Sequence, residues 1–382
     1  MAVMKLQAAG LSIFLVATVA CGSDGTGADN VVAIEVSPSL DTLSQADTRQ
    51  LTATVRTASG KTLAQPSIAW SSSNPAILTV SASGLVTALR DGSVKVRATS
   101  AGVTGSADVV VATVLRNTII YTTEDYGLPE VAVVHPDGLG RRRLTTDQGG
   151  YAAPTISPDG RRIAFASMRS GDWGIYLMKA DGTGATLLIQ RSSFDGSPAW
   201  SPDGSRIAFR SENPGQFGAY GRIFVINVDG TDVHQVSPEG SPGIYTYDDG
   251  PTWSPDGLRI AFSKTGKLYV VNADGTGFAA LPNPEGGQYP SWSPDGTRLT
   301  YKSGGTGDIW VRNADGSNPV QLTTAAEQED LPRWSPDSRK IVFDRIINGS
   351  SLFIINADGT GEMRLSAAAT ASEAWPNWSP VP

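Results

Sequence analysis

Residues 289–316 read YPSWSPDGTRLTYKSGGTGDIWVRNADG. Three pieces of this stretch recur along the chain: an aromatic followed by SPDG, a short β-like run, and a turn ending in ADG. SPDG stands at 157–160, 201–204, 254–257 and 293–296, with SPDS at 335–338 and a truncated WSP at 378–380. The steps from Ser157 are 44, 53, 39 and 42 residues, and 44 more reach Ser379. HPDG (135–138), KADG (179–182), NVDG (227–230) and NADG (272–275, 313–316, 356–359) run in phase with it. In SPDG the proline presets φ at the second turn position, aspartate tolerates the third and glycine follows, as a type I turn requires. In ADG the glycine supplies the left-handed residue of a tight hairpin.

A period near 40–45 residues with four strand signals per unit predicts a β-propeller. Within a unit one strand precedes SPDG, a second reads RIAF or similar, a third IYLMKA or LYVVNA, and a fourth follows ADG. The aromatic before SPDG (Trp200, Trp253, Trp292, Trp334 and Trp378, with Ile156 as the exception) is placed to pack between neighbouring units. The first unit is incomplete: NTIIYTT, VAVVHPDG and RRRLTT supply three strands, and nothing before Asn117 resembles the fourth. The missing piece is WPNWSP at 375–380, so the C-terminal residues are expected to pair with the first unit. That closes a ring of six blades and removes open sheet edges. Residues 115–382 resemble the TolB-type propeller, whose repeats carry P-x-W-S-P-D-G-x-x-I-A-F. The resemblance fixes a fold; propellers host many activities.

From Val31 to about Thr113 apolar and polar residues alternate in runs of five to seven: VVAIEVSP, QLTATVRT, SIAWSSSN, ILTVSAS, LVTAL, VKVRATS and ADVVVAT. Turn residues separate them, which predicts a β-sandwich. The motif W-S-S-S-N-P followed by V-S-x-S-G-L-V-T-A is similar to the bacterial Ig-like domain of group 2. Trp70 is expected as a core aromatic, and Asn74-Pro75 and Ser83-Gly84 as turns. The resemblance implies a spacer or adhesive module, and the segment holds no His or Cys. The predicted fold class is therefore all-β: an Ig-like sandwich over 31–113, then a six-bladed propeller over 115–382, closed by the C-terminal strand.

Residues 1–20 read as a signal peptide, with Lys5 ahead of the apolar run LSIFLVATVA at 11–20. Cys21 is the sole cysteine. Its position resembles that of a bacterial lipoprotein, which implies lipidation at Cys21 and a flexible tether over 21–30; Thr18 departs from the usual leucine of that motif. The other reading is an ordinary secretory signal cut near Ala20. Either implies export, to the periplasm or cell surface; the lipoprotein reading adds membrane attachment, through a lipid anchor only. One cysteine gives no internal disulfide. The net charge of −7, with no basic run of five residues, argues against nucleic acid as a partner.

The acids of the SPDG turns (Asp159, Asp203, Asp256, Asp295, Asp337) read as turn residues that bond local N–H groups. No G-x-S-x-G occurs, and the two histidines, His135 and His234, form no triad or metal cage by position. A quieter signal lies two or three residues before the proline that opens each inner strand: Tyr151, Asp195, Asp248 with Asp249, Gln288, Glu329 with Asp330, and Glu373. These could form an acidic ring at the channel mouth, holding a basic peptide end or a divalent cation, Ca²⁺ on Asp195, Asp249 and Asp330. They could equally be solvated loop acids. Tyr126, Trp173, Phe217, Tyr220, Tyr245 and Tyr247 fall in loops of the same face, as a recognition surface for protein or sugar, or as residues packed on one another. The sequence thus points to a monomeric, non-catalytic binding protein for an envelope protein or peptide. The alternatives are an enzyme acting on surface polysaccharide through channel-mouth carboxylates, and a structural or adhesive surface protein.

Overall fold

A computed structural model describes residues 30–124, 127–147, 149–191, 194–212, 220–239, 246–282, 286–366 and 372–380. The chain divides into two compact units, Met1–Val111 and Ala112–Pro382. Every regular element among the described residues is a β-strand.

In the first unit, Leu40–Leu43, Val103–Val111, Gly92–Ser100 and Ala69–Ser72 form one sheet in that order. Thr48–Gln50, Leu85–Ala88 and Leu78–Val80 form a second, and Val31–Ser37 pairs with Thr52–Thr57. Strand alternation sends Val94, Val96 and Ala98 into the same core as Val36, Leu51, Leu78 and Val86. Trp70, expected in the core, is half-buried at its margin and packs against that cluster. Gly84 is held at φ +85°, and a Cβ there would stand 2.9 Å from the Trp70 ring and 2.7 Å from the Leu51 carbonyl oxygen. Space and φ both select glycine at the Ser83-Gly84 turn.

In the second unit the hairpins follow the repeat. Gly160 N–H donates to the Ser157 carbonyl at 2.8 Å, and the Ser157 hydroxyl donates to Asp159 while accepting from Arg162 N–H. The same bonds recur around Ser201, Ser254, Ser293 and Ser335. The ADG turns close alike, with Thr183 N–H and hydroxyl both donating to Asp181. These aspartates are thus turn residues. The Ser201 hydroxyl and the Ser205 N–H hold Asp203 at a pKa of about 2. Burial raises Asp295, but the Ser293 hydroxyl and Thr297 N–H outweigh it and bring that group also to about 2.

The sheets are four-stranded repeats of this pattern. One runs Tyr151–Ile156, Arg162–Ser167, Gly174–Lys179, Thr186–Ile189. The strands of 195–235 and of 246–280 join into one eight-stranded sheet through the parallel pairs Tyr220↔Thr246 and Gly221↔Tyr247. Two further four-stranded sheets span 287–321 and 329–364. The C-terminal strand Ser372–Trp378 pairs antiparallel with Ile119–Glu124, from Ile119↔Trp378 to Glu124↔Ser372, beside Glu130–Val134 and Arg142–Arg143. Among the described residues each sheet is open and none closes on itself.

Consecutive sheets are stapled by the aromatic before SPDG. Trp200 Nε1–H donates to the Thr155 carbonyl at 3.2 Å, Trp253 to Ala199 at 3.1 Å, and Trp378 to Arg333 at 3.2 Å. The arginine two residues after SPDG caps the next tryptophan: Arg162 lies over Trp200, Arg206 over Trp253, Arg259 over Trp292 and Arg298 over Trp334, at 4.5–5.1 Å from the ring centre. Each stack is worth about 0.5–1 kcal/mol.

Two outcomes check this description. Gly84→Ala should destabilise the first unit by about 1–3 kcal/mol, read as a lowered calorimetric transition with the second unit's transition unmoved. Asp203 and Asp295 titrate lower folded than unfolded (about 3.9), so their contribution is full above about pH 4 and is lost as pH falls towards 2. The Asp203→Asn, Asp295→Asn double variant should melt below the parent at pH 7, and the gap should close by about pH 2.

Candidate functional site

Six strands line one channel of about 440 Å³: Tyr151–Ile156, Asp195–Trp200, Thr246–Trp253, Gly287–Trp292, Glu329–Trp334 and Ser372–Trp378. They pack in sequence, and Ser372–Trp378 touches both Glu329–Trp334 and Tyr151–Ile156. Each carries a register shift beside its proline. The residue before that proline is left-handed in every strand: Ala153, Ser197, Gly250, Tyr289, Leu331 and Trp375 all have φ between 46° and 59°. Five of these are not glycine, and the position before proline disfavours helical conformations. The bulge redirects the backbone, so these residues and those just after the proline line the channel.

None of the predicted acids lines it. Asp195, Asp248 and Glu329 are fully buried, and Glu373 is nearly so. Asp195 accepts from the Arg191 N–H at 2.5 Å. Asp248 is paired with Lys264 at 2.8 Å. Glu329 is paired with Arg345 and accepts from the Thr323 hydroxyl; Glu373 is paired with Arg141 and accepts from the Ser366 hydroxyl. Asp249 accepts from Ser197 Oγ at 2.8 Å and Gly250 N–H at 2.7 Å, and burial raises its pKa despite Arg210 nearby. Asp330 is paired with Lys302 at 3.0 Å. A solvated acidic ring is therefore not what the residues build: Asp248, Asp249, Glu329 and Asp330 tie neighbouring strands together, and Asp195 and Glu373 hold the segments at 191 and 141. Nor does the structure gather Asp195, Asp249 and Asp330 as calcium ligands. Among the described residues no three His, Cys, Asp or Glu groups are arranged to hold a metal ion.

The aromatics divide. Tyr151 is buried against Phe165 and lies under Arg169; burial and its bond to Asp147 push its hydroxyl up to about 12. It is a packing residue. Trp173 is half-buried and stacks near Phe194 at 5.8 Å. Arg210 lies over Phe194 at 4.4 Å and over Tyr247 at 3.8 Å, and Tyr247 remains 43% exposed. Tyr289, on the channel wall, feels the charges of Asp249, Asp330 and Arg210, and burial foremost raises its hydroxyl. The Trp173, Phe194, Arg210, Tyr247 group thus adjoins the channel. Tyr220 opens its strand, its side chain outside the described residues; Tyr126, Phe217, Tyr245 and Cys21 also lie outside them.

Sequence reasoning missed Phe194, Arg210, Tyr289, Arg333 and Trp375. Aligning the repeats on the proline carried a signal: Arg333 is the one charged residue in a column otherwise Thr155, Ala199, Thr252, Ser291 and Asn377.

Repeated four-stranded sheets around a residue-lined channel define a β-propeller. The chain belongs to the TolB beta propeller domain family, which it matches over residues 113–264 and 245–381, and residues 30–111 match the bacterial Ig-like domain (group 2). It is 37% identical over 60 residues to a Protein TolB homolog of Chlorobium luteolum, a match spanning 16% of this chain and only 14% of that protein. TolB from Acinetobacter baumannii superposes with a TM-score of 0.58 at 17% identity over 84% of both chains. A TolB from Agrobacterium tumefaciens, titled putative, superposes at 0.55 and 20% identity over 69% of this chain and 95% of that one. Likeness at these identities is one of fold.

If Glu329 is structural, Glu329→Gln should cost about 3 kcal/mol in urea unfolding, since it strips a buried partner from Arg345. A solvated loop acid would change stability by less than about 0.5 kcal/mol.

Proposed function

We propose that this is an exported, lipid-anchored, monomeric and non-catalytic protein that recognises a protein or peptide of the bacterial envelope. The observation that carries the reading is the aromatic–arginine group beside the channel, in which exposed Tyr247 lies over buried Arg210, with half-buried Phe194 and Trp173 next to it. Large aromatics next to an arginine are the residues that dominate protein-recognition surfaces. Arg210 is held rigid by Glu212 at 2.8 Å, so the stack is organised before a partner arrives. Membership of the TolB propeller family favours binding over catalysis. Six blades, closed by the C-terminal strand against Ile119–Glu124, would hold this surface in one geometry; the consecutive packing of the six inner strands supports that arrangement. Lipidation of Cys21 and a tether over 21–30 would make the Ig-like domain (31–113) the spacer that separates the anchor from the propeller (115–382) along the chain. No helix among the described residues is long and apolar enough to cross a membrane.

Photo-crosslinking from position 247 in an envelope extract, followed by affinity measurement with the purified product, tests this. Tyr247→Ser should weaken that affinity at least about tenfold without lowering the melting temperature, since Tyr247 is the exposed member of the group. Undiminished affinity, or turnover of envelope polysaccharide by the pure chain, would overturn the reading.

A further inference from the structure

At one level of the channel stand Thr155, Ala199, Thr252, Ser291, Arg333 and Asn377, the residues that follow the six prolines. Five are short and uncharged; one is a guanidinium. Arg333 is half-buried and has five N–H donors, yet among the described residues its one hydrogen bond runs from Nη1 to its own neighbour, the Pro332 carbonyl, at 2.9 Å. Among the described residues no carboxylate stands within ion-pair distance of it: Asp249 is bonded by Ser197 and Gly250, Asp330 by Lys302, and buried Asp344 acts on it through its charge. Desolvation lowers Arg333 to about 10, with Asp330, Asp344 and Asp249 opposing, so it stays charged at neutral pH. A half-buried guanidinium with donors open to the channel is a ready partner for an acceptor that enters it.

The next level is lopsided. Tyr289, Leu331 and Trp375 stand on three consecutive strands, and Ala153, Ser197 and Gly250 on the other three. One half of the wall is apolar and bulky; the half beside it leaves room.

We propose that the channel binds an apolar carboxylate. The carboxylate accepts from Arg333, beside the Thr252 and Ser291 hydroxyls, and the apolar body lies against Trp375, Leu331 and Tyr289. A charge-assisted, forked pair of this kind is the strongest polar contact the channel can offer. The group can be a free acid or the C-terminal residue of a peptide. The proposal rests on the channel alone and stands or falls apart from the Trp173–Tyr247 surface.

The test is a calorimetric and tryptophan-fluorescence titration of the purified chain with N-acetylphenylalanine and with its neutral amide. The acid should bind saturably, and the amide at least about tenfold more weakly. Arg333→Gln should remove at least about tenfold of the acid's affinity and erase the acid–amide difference, with Arg333→Lys recovering part. The acid–amide contrast in the parent chain needs no variant, so a misfolded substitution leaves the test intact. N-acetyl-Ala-Ala-Phe binding more tightly than N-acetylphenylalanine marks a peptide end as the source; equal binding marks a free acid. Equal affinity for acid and amide, acid binding untouched by Arg333→Gln, or no saturable binding of the acid overturns the proposal.

Discussion

The indole that five of the six inner strands lay on the strand before them is the contact on which the second unit depends. A four-stranded sheet with two apolar faces cannot bury both alone, so each repeat needs its neighbours. One core cluster joins Ile119, Tyr121 and Val134 of the first sheet to Val342, Ile354 and Trp378 near the chain's end. Trp378 fills that seam and its N–H reaches the Arg333 carbonyl of the preceding inner strand; at Trp200 the bond recurs, and the arginine after SPDG also covers the ring. Trp292 and Trp334 keep the arginine but lack a partner for the indole nitrogen, so stacking and burial hold those seams without the bond.

The left-handed residue before each proline sets what the channel contains. Strand alternation by itself would bring residues two apart onto one face. The bulge resets that register, so the channel receives the residues flanking the proline. The acids two and three positions earlier are sent between strands, where lysine, arginine and hydroxyl partners meet them. The same device turns Arg333 and Trp375 inward.

Most of the fold was legible because its signals are local and repeated. SPDG and ADG each specify a turn through proline, an aspartate acceptor and a left-handed glycine, and those bonds are found in the structure. The partner of the incomplete first unit was legible because WPNWSP supplies the one missing strand, and Ile119 does pair with Trp378. The site was far less so. Reading Asp195, Glu329 and Glu373 as channel-facing assumed an unbroken strand; nothing local announces a bulge whose left-handed residue is alanine, tyrosine or tryptophan. The counterions of Glu329 and Glu373, Arg345 on another strand and Arg141 just before one, come close only through tertiary pairing. Phe194 and Arg210 joined Tyr247 for the same reason, across strands that sequence spacing does not connect.

Hydrogen exchange tests the central dependence of the inner strands on one another most directly, comparing the full chain with a chain ending at residue 371. Without Ser372–Trp378 the amides of Ile119–Glu124 lose an antiparallel partner, and Tyr151–Ile156 and Glu329–Trp334 lose a neighbour. The account predicts faster exchange in all three strands, spreading round the channel to Asp195–Trp200 and Gly287–Trp292. Protection unchanged outside Ile119–Glu124 would show that the sheets stand independently, and would contradict it.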